Sequence, residues 1–149
     1  MKKIYIFLAL LNIINFTMYG HNFLSLPKQT PFSYDLGVRC IGDTVQSDCV
    51  TICCHGYGHN HQIVDVVYSY NVLKGHLIGF NFPDHDITPA TDHKKSCYGT
   101  IDEILPLLYI VKCASLKFNK INLYGFSAGG GAVVNMLAII NRREYKQQL

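Results

Sequence analysis

Residues 125–129, Gly125-Phe126-Ser127-Ala128-Gly129, fit the pattern G-x-S-x-G. A serine in that setting can act as a nucleophile. A strand that reverses directly into a helix crowds the turn, and glycines two before and two after the serine remove side chains that would clash. The hydroxyl is left protruding in a strained conformation. The five-residue pattern also occurs in plain turns, but here an apolar run (121–124) precedes it and an apolar stretch (128–140) follows. Gly130 and Gly131 would further allow helix and strand to approach closely. Ser127 is the candidate nucleophile, with Gly125 and Gly129 completing the motif.

A second constellation is His55-Gly56-Tyr57-Gly58, at the end of the β-forming run "CVTICC". Attack by a serine on a carbonyl puts negative charge on its oxygen, which needs backbone N–H donors aimed at it, and an H-G-x-G turn after a strand presents such donors. The candidate donors are the N–H groups of Tyr57 and of Ala128, which follows the serine at a helix N-terminus. The simpler alternative is an ordinary turn in which His55 makes a structural hydrogen bond. Together, seventy residues apart with a strand-helix-strand-helix interval between, the two motifs are more specific than either alone.

The elements that must position them follow from periodicity. "CVTICC" (49–54), "HLIGFNF" (76–82) and residues 121–124 read as strands bounded by glycine or proline. Ile63, Val66, Val67, Tyr70 and Leu73 are spaced for one face of a helix that Gly75 would stop. A second helix is expected over 100–116, with Ile101, Ile104, Leu105, Leu108 and Val111 as its apolar face and Pro106 as a kink or a sign of a later start. A third runs over 128–140, ending at Arg142-Arg143, cations suited to a helix C-terminus. Alternation of strand and helix predicts an α/β fold with a parallel sheet and crossover helices. Residues 21–39 read as an extended entry segment or edge strand.

At these residues the sequence resembles the α/β-hydrolase family, over roughly residues 48–140. The resemblance implies that "CVTICC", "HLIGFNF" and "INLY" are the third, fourth and fifth strands, with Ser127 on the turn after the fifth. It implies a hydrolase that forms an acyl-serine from a small-molecule ester, lipid or amide substrate, without metal or cofactor. The family's triad runs Ser, then Asp or Glu, then His along the chain. Here 22 residues follow Ser127, all seven histidines precede it, and the one acid after it is Glu144. The expectation is a hydrolase truncated after the helix that follows the serine, with a bare fifth-strand edge that invites self-association. A base would have to come from His85 or His93, from a second polypeptide or from lost C-terminal sequence. The alternative is a non-catalytic remnant that binds a hydrophobic ligand or partner. A phosphate site at "GFSAGGG" fits less well, because G-x-G-x-x-G spacing and a P-loop lysine are missing.

Composition frames these expectations. With 149 residues, 49% of them hydrophobic, the chain can fill one core and not two domains. Thirteen Lys and Arg against ten Asp and Glu, scattered along the chain, give no basic patch for nucleic acid. Lys2-Lys3 precede a nearly uncharged run to Phe16, which suits a secretory signal over residues 1–20 better than a buried N-terminal strand. Export is expected, with an uncleaved, membrane-tethering segment as the second possibility. Of six cysteines, Cys40 and Cys49 flank a turn-like stretch and could face each other across a hairpin, while Cys53 and Cys54 should point to opposite faces of a strand. No C-x-x-C pair suggests zinc. The acids and histidines of the loop, Asp84, His85, Asp86, Asp92 and His93, and the pair His59 and His61, read as loop polarity.

Overall fold

The computed structural model describes residues 4–8 (backbone only), 31–32, 35–42, 47–83, 85 and 100–141. Five strands, β1 (Ile4–Leu8), β2 (Arg39–Ile41), β3 (Cys49–Cys54), β4 (His76–Gly79) and β5 (Lys120–Gly125), form one sheet in the order β1-β5-β3-β4-β2. Three helices, α1 (Ile63–Ser69), α2 (Ile101–Ser115) and α3 (Ala128–Asn141), complete a mixed α/β fold. The β1/β5, β5/β3 and β3/β4 pairings are parallel. The expected parallel sheet therefore holds for these four strands, while β2 runs antiparallel to β4 at the edge.

Strand β3 lies at the centre because nearly all of it is apolar or β-branched, which suits a strand covered on both faces. Alternation then sorts its side chains into two cores. Val50, Ile52 and Cys54 join Ile78, Leu123 and the buried residues of α2 and α3. Cys53 joins Leu77, Tyr124 and α1 on the opposite face. Cys53 and Cys54 thus point apart, as expected.

Several boundaries differ from the sequence expectation, each for a local reason. Helix α1 ends at Ser69, well before Gly75, because Asn71 takes a left-handed φ of 54°. The Val72 N–H then bonds Val67 O and the Asn71 N–H bonds Tyr68 O, the paired bonds of a Schellman end. Strand β4 stops at Gly79, after which the Asn81 N–H bonds Leu36 O instead of a ladder partner. Helix α2 starts at Ile101, and Pro106 sits inside it. Its buried face is Ile104, Leu107, Ile110 and Ala114, whereas Ile101 and Leu105 are exposed. The helix is apolar on more than one side, so spacing alone selected a face rotated from the true one.

Cys40 and Cys49 do not meet. Strand β2 pairs with β4, which separates it from β3 and keeps Cys40 from bridging to Cys49. A bidentate pair from Arg39 to Asp65 instead ties β2 to α1, at 2.6 and 2.7 Å.

The expected bare edge of the fifth strand is also absent within the chain. Ile4–Leu8 lies parallel to β5 from Ile121 to Gly125, so β5 is bonded on both sides and the outer edge belongs to β1. Export signal and edge strand draw on the same property of this segment, an apolar run of β-formers, and residues 1–3 and 9–20 of the expected leader lie outside the described residues. No helix among the described residues is long and apolar enough to cross a membrane. A Tyr5→Pro/Ile6→Pro double variant, which removes two adjacent backbone donors from β1, is expected to strip hydrogen-exchange protection from β5 amides and to promote association. Unchanged β5 protection would show that β1 does not seal this edge.

Candidate active site

The two sequence motifs meet at the C-terminal end of the sheet. From β3 the chain moves to β4 by way of α1, then passes back to β5, which lies on the other side of β3. The turn after β3 therefore leads to a helix on one face and the turn after β5 to a helix on the other. Such a reversal opens a crevice beyond the strand ends, where open α/β sheets place their ligands.

Ser127 occupies the turn between β5 and α3, exposed, with φ of +50°. This left-handed conformation is uncommon for a residue with a side chain and costs about 1–2 kcal/mol. It is imposed by the packing around it. At Gly125 a Cβ would come within 2.5 Å of Gly130 Cα and 2.6 Å of Gly129 O. At Gly129 it would strike Cys54 O and lie 2.5 Å from His55 O. The first turn of α3 is thus seated on the ends of β3 and β5 with no room for side chains between. The Phe126 N–H bonds Cys54 O at 3.0 Å, while the Gly129 and Gly130 N–H groups bond Phe126 O and Ser127 O, both at 2.9 Å.

The His55-Gly56-Tyr57-Gly58 loop abuts this turn. A Cβ on Gly56 would sit 3.0 Å from Phe126 Cδ1 and 3.1 Å from Ser127 Cβ, so Gly56 lets the two loops touch. Gly58 carries a φ of +71°. Tyr57 is more than half exposed. Ala128 opens α3, where the first N–H groups of a helix carry partial positive charge. Ser127, Tyr57 and Ala128, expected to act together, are thereby brought to one place.

His55 pins the loop from beneath. Its ring is fully buried; Nδ1 lies 2.8 Å from Gly56 O, and Nε2 accepts the Phe82 N–H at 3.2 Å. That acceptance makes Nδ1 the protonated nitrogen, donating to the Gly56 carbonyl. Burial, reinforced by the nearby histidines 85, 59 and 61 and opposed by the Gly56 bond, lowers its pKa to about 4. Both nitrogens are thus engaged, and the structural role for this histidine is the one observed.

His85 packs beside this pair, its ring 5.2 Å from that of His55 and 5.8 Å from that of Tyr57. His93 and Glu144, with Asp84, Asp86 and Asp92, lie outside the described residues. His59 and His61 diverge: His59 is exposed, edge-on to Phe126, and His61 is buried with Nδ1 3.0 Å from Asn81 Oδ1. No group of three or more His, Cys, Asp or Glu among the described residues could hold a metal ion. Cys53 and Cys54 are not rival nucleophiles, because burial pushes both thiols far above their usual range. Ser127 Oγ makes no hydrogen bond to any described residue.

Phe82 escaped sequence reasoning although it orients His55. Its part is played by a backbone N–H 27 positions away, and side-chain identity carries no signal of that. Compared with known proteins, the chain finds no match: no family model, no curated protein and no solved structure is similar to it.

Three outcomes are expected. Gly129→Ala should lower stability by about 2 kcal/mol or more through overpacking. Gly131→Ala, in a helical position with open space around it, should raise stability by about 0.5–1 kcal/mol; urea midpoints measure both. His55 binds its proton less readily when folded than at the unfolded value of 6.5, so the stability it contributes is complete above pH 6.5 and is lost as pH falls through about 4. The loss is of order 3 kcal/mol, and His55→Gln should flatten it; an unchanged pH slope in that variant would refute the assignment.

Proposed function

We propose that this chain carries the nucleophile and oxyanion half of a serine hydrolase of α/β-hydrolase type. Ser127 attacks an ester or amide carbonyl, and the N–H groups of Tyr57 and Ala128 receive the charge that develops on its oxygen. The observation that carries this reading is the left-handed, exposed Ser127 on a strand-to-helix turn, held between two glycines that backbone contacts oblige and facing the His55-Gly56-Tyr57-Gly58 loop. A plain turn has no need of strain at a serine, and strain of this kind gathers at functional sites. The helix N-terminus of α3 adds a fixed dipole where an anion would form.

The weak point of the machinery is the proton on Ser127 Oγ. His55 cannot take it, since its Nε2 is occupied by the Phe82 N–H and its Nδ1 bears the proton given to Gly56 O. His85 is the described histidine that packs against the proposed oxyanion loop, and it is the first base to test. In a comparable enzyme, loss of the histidine lowers turnover by about 10⁶, leaving oxyanion and binding effects alone. A non-catalytic chain that binds an apolar ligand is the second reading, favoured by the lack of a hydrogen bond on Ser127 Oγ among the described residues.

A fluorophosphonate probe separates the two, because an activated serine reacts with it and an inactive one does not. The expected result on the full chain is labelling that disappears in Ser127→Ala and weakens at least tenfold in His85→Ala. No labelling of a folded, soluble sample would overturn the hydrolase reading and leave the second.

A further inference from the structure

A cleft of about 280 Å³ opens beside the serine turn, on the face of the sheet that carries α1. Ile63, Val66 and Val67 of α1 form one wall, and Tyr124 and Phe126 the other. His59 stands at its rim, its ring 5.9 Å from that of Phe126. Phe126 directly precedes Ser127, and Gly58, which also lines the cleft, directly follows Tyr57. The cleft is therefore bounded by the immediate neighbours of the candidate nucleophile and of a candidate oxyanion donor.

Its chemistry is specific in two respects. The lining contains no Asp, Glu, Lys or Arg, its polar members being His59, Asn60 and Gln62, so no carboxylate, ammonium or guanidinium repays the desolvation of a charged ligand. Its volume falls just below that of small-molecule sites, which run from about 300 to 1,000 Å³. A dry cavity of about 150 Å³ holds one benzene ring, so this cleft has room for a ring with a few further atoms or a short branched chain.

We infer that this cleft binds the apolar group of the substrate, a compact uncharged aryl or short branched acyl moiety of an ester or amide whose carbonyl reaches Ser127; this rests on the assignment of Ser127 as nucleophile. The substrate class is thereby aryl and short-acyl esters or amides rather than long-chain lipids. Val66 is half-buried on the cleft side of α1, so a larger side chain at that position fills the site without entering the main core.

The test uses benzamide as a neutral, phenyl-sized probe and benzoate as its charged counterpart, titrated into the full chain with valine methyl groups observed by NMR. Saturable shifts of Val66 and Val67 with benzamide, at least tenfold weaker with benzoate, are expected. Val66→Leu should weaken benzamide binding and Val66→Trp should weaken it at least tenfold, with distant methyl signals reporting that each variant is folded. Benzamide binding unaffected by either Val66 variant, or no saturable binding in the wild-type chain, overturns the inference. Fluorophosphonate labelling in the same samples keeps the two ideas apart. Labelling without benzamide binding removes the cleft and spares the nucleophile; benzamide binding without labelling removes the nucleophile and leaves the cleft as a ligand site only.

Discussion

The seating of α3 on the ends of β3 and β5 is the constraint on which the rest of this structure depends. At Gly129 the helix backbone approaches the Cys54 and His55 carbonyls so closely that no side chain fits, and at Gly125 the strand is equally close to the next turn of the helix. A chain passing from strand to helix in so little space must reverse within two residues. Ser127 absorbs that reversal with its left-handed φ, and its exposure at the apex is a consequence of the same geometry. The strain at one residue is offset by the burial of α3, whose Ala132, Val133 and Met136 reach the core only when the helix lies this close.

The same contact makes the site a junction of three chain segments. The turn after β5 meets the loop after β3 through Gly56, and that loop is held in turn by His55, whose ring accepts the Phe82 N–H from the segment after β4. A neutral imidazole suits this position because it offers one donor and one acceptor in fixed directions without bringing a charge into the core. Burial enforces that neutrality, which removes His55 from proton transfer even though it lies next to the proposed chemistry. Position near a reacting group and fitness to serve it are separate properties, and hydrogen bonding at both ring nitrogens distinguishes them.

On the proposed reading, electrostatic preorganisation and proton transfer are divided unequally. The donors for an oxyanion are backbone groups, supplied by two turns that the sheet topology brings together, so they come with the fold. The base is a side chain that must reach Ser127 Oγ from another element, and no described residue hydrogen-bonds that oxygen. Oxyanion and binding effects without the base retain about 10³–10⁴ over the reaction in water. A site of this kind can polarise and hold a carbonyl compound well before it can turn one over.

The sequence by itself determined the elements that glycine and β-branched residues punctuate: strand β3, strand β5, the serine turn between Gly125 and Gly129, and the alternation that makes the fold α/β. These are local matters, because steric crowding at a turn and alternation along a strand act over a few residues. Only the tertiary structure decided which face of α2 is buried, since that helix is apolar on more than one side. It alone separated Cys40 from Cys49, by inserting β4 between their strands, and laid Ile4–Leu8 along β5, covering the edge that the order of elements leaves bare. It also turned His55 from a motif residue into a buried pin, and gathered α1, Tyr124 and Phe126 around one cleft. Each of these rests on contacts between residues far apart in the chain, for which spacing along the sequence carries no record.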